Sequence, residues 1–205
     1  KVKAKVTNCS KIPPFTTIVS FEPDLKYFKT GTGGVTIKTL EPLHDIIRTK
    51  LLHASVTNPK PIKISFNGKV LRCRDMKAYM KLFTDERTFY EKVSPDFEYG
   101  VTLSPTGEFE QQSFVNCHRT TNPTSKEVKH VTNKVVSAVS TALKKKGVST
   151  KLPTSQISRH LFIFINTRLA DPDFDAQTKS SLTSAIDTKL MHVDVKKVVG
   201  LIKKS

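Results

Sequence analysis

The residues with most chemistry to offer lie together in Asp171-Pro172-Asp173-Phe174-Asp175-Ala176-Gln177-Thr178-Lys179-Ser180-Ser181-Leu182. A lysine ammonium on a polar loop is a compact point charge for a phosphate oxygen, and a nearby glutamine amide can hydrogen-bond a second oxygen or a water. Gln177, Thr178 and Lys179 are therefore candidate phosphate contacts. Read alone, the same tripeptide could instead open a helix with Thr178 as its cap. A second basic group, Lys144-Lys145-Lys146 with Lys151 beyond it, has two readings. It is a contact for a polyanion, or a solvated helix end whose cations suit the helix dipole by up to about 1 kcal/mol each. Gly31-Thr32-Gly33-Gly34 lacks the G-K-[ST] ending of a phosphate-binding loop and reads as a surface turn.

Across the whole chain, 34 basic residues against 18 acidic ones give a net charge of +16, and the pI is 9.8. Such an excess suits DNA or RNA, because neutralised phosphates release condensed counterions. Trp is absent, and Tyr and Phe do not interleave with the basic runs, which points to backbone contact rather than base stacking. The basic excess lies in residues 1–74 and 126–205, whereas 75–125 leans acidic, so a boundary is expected near Asp75. Cys9, Cys73 and Cys117 are odd in number and widely spaced, and His44, His53, His118, His130, His160 and His192 form no metal-ligand spacing. Reduced thiols and no metal site are expected. The longest apolar run, Leu161 to Ile165, is far short of a bilayer span, and Lys1-Val2-Lys3-Ala4-Lys5-Val6 lacks the apolar stretch of a secretory leader. A soluble protein with no membrane partner is expected.

The elements that must position the candidate residues follow from periodicity. Thr17 to Phe21 is β-branched and aromatic, which predicts a strand ending at Pro23. Leu43, Ile46, Ile47, Leu51 and Leu52 have helical spacing within Leu40 to Ala54. Asn67-Gly68 between Lys63–Phe66 and Lys69–Leu71 predicts a hairpin. Asp75 can cap a short helix over Met76 to Phe83. Phe97–Leu103 and Glu108–Val115 read as antiparallel strands around Pro105-Thr106-Gly107. Val131, Val135, Val139 and Leu143 step by four along Lys126–Leu143, and Gly147 stands where a left-handed helix cap belongs. Leu161 to Leu169 is then a buried strand, completing a strand-helix-strand unit.

The segment Pro172 to Leu182 resembles the P-x-F-x-[SA]-Q-T-K-x-x-L stretch in the transducer domain of type IIA DNA topoisomerases. Three further segments resemble the same family in the same order. They are Thr17-Ile18-Val19-Ser20-Phe21-Glu22-Pro23-Asp24 through Phe28, then Phe66-Asn67-Gly68-Lys69, then Phe114-Val115-Asn116 with Thr120 and Thr121. The resemblance implies an α+β chain. Residues 1–74 would be the end of a GHKL ATPase domain, and 75–205 a transducer with the ribosomal protein S5 domain 2-like fold. It implies that Lys179 and Gln177 contact the γ-phosphate of ATP from outside the nucleotide-binding domain. Departure of that phosphate on hydrolysis would let the transducer move, coupling ATP to closure of a dimer gate and DNA strand passage. It also implies that Lys144, Lys145, Lys146 and Lys151 face double-stranded DNA.

The upstream ATPase motifs, which would hold ATP and Mg2+, do not occur in the chain, and neither does the DNA-cleaving tyrosine module. Alone, the chain is expected not to hydrolyse ATP and to be a monomer or weak dimer. In the parent enzyme it would join a homodimer with an ATPase core and a cleavage module, inside a cell and with DNA, in a nucleus or a viral or phage compartment. The family continues from its threonine strand into G-G-x-H, but Thr120-Thr121-Asn122-Pro123-Thr124-Ser125-Lys126 has no glycine, which questions the contacts of that loop. The short stretch from Asp75 to Phe97 resembles large-DNA-virus or T-even phage enzymes. Two other readings stand beside this one: a mismatch-repair or chaperone type of GHKL ATPase, and a free-standing basic nucleic-acid-binding module with an S5-like fold.

Overall fold

The computed structural model describes residues 17–21, 41–58, 62–85, 87–147 and 152–202. The Gly31–Gly34 turn, Cys9, Pro23, Asp24, Phe28 and Lys151 lie outside them. By packing, the chain divides into residues 1–45 and 46–205. In the first unit, Thr17 to Phe21 belong to no strand and are exposed, which corrects the expected strand. A strand exists only through a neighbour's backbone hydrogen bonds, and no described residue pairs with this one.

The first helix, α1 (Glu41–Thr57), begins in that unit and ends in the second. The hairpin of β1 (Ser65–Phe66) and β2 (Lys69–Val70) comes next. Its turn residues Asn67 and Gly68 both have positive φ, 47° and 74°, as a two-residue hairpin requires. Asp75 caps α2 (Met76–Met80), its carboxylate accepting from the Ala78 N–H at 2.7 Å.

A five-stranded sheet follows, made of β3 (Phe89–Ser94), β4 (Phe97–Leu103), β5 (Glu110–Val115), β6 (His118–Thr120) and β7 (Leu161–Thr167). Its spatial order is β3-β4-β7-β5-β6. The expected strands 97–103 and 108–115 therefore exist but do not pair. β7 lies between them, antiparallel to β4 with Tyr99 opposite Ile165, and parallel to β5 with Ser113 opposite Ile165. The reason is burial: every residue of β7 is buried, and a strand apolar on both faces belongs at the centre of a sheet.

The alternation along β7 sorts two cores. Leu161, Ile163 and Ile165 pack with Val128, Val131, Val135 and Val139 of α3 (Lys126–Lys145). Ile157 of α4 (Thr154–Ser158) and Val198 of α5 (Val195–Ile202) close that side. Phe162 and Phe164 face the other way, against Phe114, Met76, Tyr79, Met80 and Val56. Gly100 of β4 leaves room for the Met80 thioether, which a Cβ there would displace. α3 ends as expected, with Gly147 at φ 82° and the Lys146 N–H bonded to the Ala142 and Leu143 carbonyls.

The start of α3 is tied to the sheet by a buried carboxylate. Glu127 is fully buried, and its Oε1 accepts from Ser113 Oγ at 3.0 Å and Thr120 Oγ1 at 2.6 Å. Its Oε2 accepts from Ser125 Oγ. Ser125, at the N-cap position, does not cap the helix with its side chain. Instead its Oγ accepts from the Leu182 N–H at 2.8 Å, so the helix start and the segment that follows Lys179 share one hydroxyl. Position near the positive end of α3 and three hydroxyl donors together offset the desolvation of the carboxyl group.

Two outcomes are expected. Glu127→Ala leaves three hydroxyls without their acceptor and opens a cavity, and should destabilise by about 3 kcal/mol or more, against about 1 to 2 for Glu127→Gln. Denaturant unfolding measures both, and equal effects would contradict the network. His53, at the end of α1, is buried edge-on to Tyr79 and Phe114. Desolvation, then the charges of Arg119 and Lys50, lower its pKa from 6.5 to about 4. The unfolded chain therefore takes up the proton first on acidification, and stability falls by roughly 3 kcal/mol between pH 6.5 and 4. His53→Phe should remove that part of the pH slope in denaturant midpoints; an unchanged slope assigns it to other groups.

Candidate functional site

Beyond β7 the chain is fastened residue by residue. Arg168 donates its N–H to the Asp96 carbonyl at 2.8 Å, and its guanidinium reaches the Pro95 carbonyl at 3.1 Å, Asp96 Oδ1 at 3.4 Å and the Thr57 carbonyl at 3.2 Å. The strand exit is thus held to the β3–β4 turn and to the end of α1. Leu169 is clamped by Asn116, whose Oδ1 accepts the Leu169 N–H and whose Nδ2 donates to the Leu169 carbonyl, both at 2.9 Å. Asn116 sits at φ 50° in the β5–β6 turn, a conformation asparagine tolerates better than most residues.

The segment Phe174 to Leu182 is a closed loop. Its ends form an antiparallel bridge, reinforced by the Asp175 N–H on the Ser181 carbonyl at 3.0 Å and the Thr183 N–H on the Asp173 carbonyl at 2.8 Å. Inside it, the Asp175 carboxylate accepts from Ser180 Oγ at 2.9 Å and the Ser181 N–H at 2.9 Å. Gln177 and Thr178 are exposed at the turn, and Lys179 follows at φ 55° with its N–H on the Ala176 carbonyl at 2.9 Å. No helix begins here, which overturns the reading of Thr178 as a helix cap.

The Lys179 ammonium lies 3.2 Å from His118 Nε2 and 5.6 Å from the centre of the Phe174 ring. No described carboxylate forms an ion pair with it. The charge is oriented without being neutralised. The glycine-free loop after β6 braces the same segment from below, since the Thr121 and Asn122 N–H groups both donate to the Ser180 carbonyl at 3.0 Å. Sequence reasoning missed His118, Asn116, Ser125 and Glu127 as parts of this site. Only the side-chain types of Asn116 and His118, next to the Phe114-Val115 strand, could have hinted at them.

The lysine run occupies another place. Lys144 and Lys145 close α3, Lys146 follows them, and all three are exposed. They stand at the opposite end of that helix from Ser125, about 30 Å away for 20 residues. The structure therefore does not bring the two candidate groups together. A cleft of 540 Å³ between α3 and α5 adds Lys134 and Lys196 beside Lys145, two cations that the sequence did not single out. A groove of 630 Å³ between α3 and α4 sets Lys144 beside hydroxyls that include Ser140, Thr141 and Ser155. Among the described residues no cluster of three His, Cys, Asp or Glu side chains could hold a metal ion. No described helix is long and apolar enough to cross a membrane.

Comparison with known proteins identifies the family and agrees with the fold. The DNA gyrase B family model matches residues 66–201. The chain is 32% identical over 194 residues to the probable DNA topoisomerase 2 of Dictyostelium discoideum, covering 92% of this chain and 12% of that protein. It is 34% identical over 194 residues to DNA topoisomerase 2 of Bombyx mori, covering 87% of this chain and 12% of the relative. The chain thus spans only about an eighth of these curated relatives. The ATPase region of Saccharomyces cerevisiae topoisomerase II superposes with a TM-score of 0.66 at 26% identity, over 85% of this chain and 44% of that one. With a matching family model across most of its length and the α+β architecture of a topoisomerase ATPase and transducer region, the chain belongs to the DNA gyrase B family of type IIA DNA topoisomerases.

Proposed function

We propose that this chain is the nucleotide-sensing and coupling part of an ATP-dependent type II DNA topoisomerase. The observation that carries the reading is Lys179: an ammonium held on a braced loop, with no ion-pair partner among the described residues. Such a charge suits a terminal phosphate, with Gln177 beside it to hydrogen-bond a phosphate oxygen or the attacking water. Residues 1–74 complete an ATPase domain and 75–205 form the transducer. ATP supplies the γ-phosphate whose presence the loop reports. The residues present fit that phosphate, and Mg2+ would be held mainly by the ATPase core.

Coupling follows from how the loop is attached. The segment that leads from β7 into the loop is bonded to the β5–β6 turn through Leu169 and Asn116, and the loop's far end is bonded to the start of α3 through Leu182 and Ser125, so a pull on Lys179 is passed to the central strand and the long helix. Departure of the γ-phosphate would release that pull and let the transducer shift, closing or opening a dimer gate around DNA. Hydrolysis itself belongs to the assembled enzyme, a homodimer with its ATPase core and cleavage module, working with DNA inside a cell. Lys144, Lys145, Lys146 and Lys151 would meet the DNA backbone, and the net charge of +16 supports a polyanion there.

In the complete enzyme carrying this chain, Lys179→Ala should lower ATP turnover on the order of 100-fold, as removal of a charge-stabilising donor does, and supercoil relaxation with it. Retained activity would sink the sensor reading. Replacing Lys144, Lys145 and Lys146 together by Ala should weaken duplex binding and reduce the slope of log affinity against log salt by about 0.9 for each phosphate left without its lysine. An unchanged slope in a salt titration would return the run to a solvated helix end.

A further inference from the structure

His118 comes from β6 and Lys179 from a loop far along the chain, yet their side-chain nitrogens meet at 3.2 Å. An ammonium has only donors, so the imidazole Nε2 must be the acceptor, and it can accept only while that nitrogen is unprotonated. The Phe174 ring lies on the same ammonium, 5.6 Å from centroid to Nζ, within reach of a cation–π attraction. Both partners are uncharged. An aspartate in place of either would hold the lysine more firmly and cancel its charge. The loop's own carboxylate, Asp175, is bonded to Ser180 and Ser181.

We propose that His118 is a positioning residue for Lys179, its neutral imidazole steering the ammonium toward a phosphate while leaving the charge available to it. This rests on the reading of Lys179 as the γ-phosphate contact. Among the described residues the charged groups that act on the imidazole are cations, Lys179 on the loop and Lys50 on α1, while Arg119, adjacent in β6, acts on His53 and Tyr79. No described carboxylate acts to stabilise a protonated His118. Desolvation first, then Lys179 and Lys50, keep its pKa below the ordinary 6.5. The hold on Lys179 is therefore present above that pKa and disappears as pH falls through it, when the imidazole becomes a second cation facing the first.

The test is steady-state ATP hydrolysis by the complete enzyme carrying this chain, from about pH 5.5 to 8.5, comparing wild type, His118→Ala, His118→Gln and Lys179→Ala. His118→Ala should lower kcat/KM for ATP about 5- to 10-fold at pH 8 and flatten the acid limb of the profile. His118→Gln, which keeps an acceptor that does not titrate, should restore most of kcat/KM and stay flat in acid. A purely structural role for His118 would leave the wild-type acid limb in both variants. If His118→Ala matches wild type in rate and profile while Lys179→Ala is crippled, the positioning role is overturned and the sensor reading stands. If Lys179→Ala keeps full activity, the sensor reading falls and the role of His118 falls with it.

Discussion

Strand β7 has two edges and two faces, and all four are occupied. Its edges pair with β4 on one side and β5 on the other, so its backbone groups are satisfied without water. Its faces place aliphatic side chains against α3 and aromatic ones against α2 and the end of α1. Burial of this one segment therefore fixes the sheet order, the side on which each helix lies, and the point at which the chain emerges toward Lys179. At about 25 cal/mol per Å² of apolar surface removed from water, few other segments of similar length could hold so many elements to one register.

The loop inherits that rigidity. Arg168 and Asn116 secure its entry, Asp175 organises its interior, and Ser125 and the Thr121-Asn122 backbone secure its exit. Nearly all of these are hydrogen bonds to main-chain groups, which fix where the backbone runs while leaving the exposed side chains of Gln177 and Thr178 free of structural duties. Placing a polar, functional segment on a buried strand is a general way to combine precision with access to solvent. The glycine-free stretch after β6 takes part in this bracing rather than standing as an inert insertion.

Much of this was legible in the residues. The apolar run 161–165, the four-residue steps of α3, Asn67-Gly68 and the Asp75 cap each carry a local physical signal, and each became the element it implied. The order of strands was not legible, because adjacency along the chain favours pairing 97–103 with 108–115, and only the competition for a doubly buried partner separates them. β3 was overlooked since an edge strand with mixed burial and an irregular register shows little alternation. The short α4 has no side-chain cap, and α5 was overlooked although Asp194 caps it, its carboxylate accepting from the Lys196 and Lys197 N–H groups. Within the candidate site, Lys179 and Gln177 were singled out from their neighbours in sequence. His118 and Glu127 were not, because their roles arise from interactions with residues distant along the chain, and no local pattern encodes those.

The parallel pairing of β5 with β7 has a consequence for how the chain is made. β4 ends at Leu103, but its second neighbour begins only at Leu161. At translation speeds of about 5 to 20 residues per second, that edge waits roughly 3 to 12 s for its partner. During this interval the edges of β4 and β5 that will receive β7 present open backbone groups beside apolar side chains, the arrangement most prone to pairing with the wrong chain. Completion of the sheet is thus a late, long-range event with a high loop-closure entropy. The helix α3, whose hydrogen bonds are local, can form while the sheet waits and shield one of its unfinished faces.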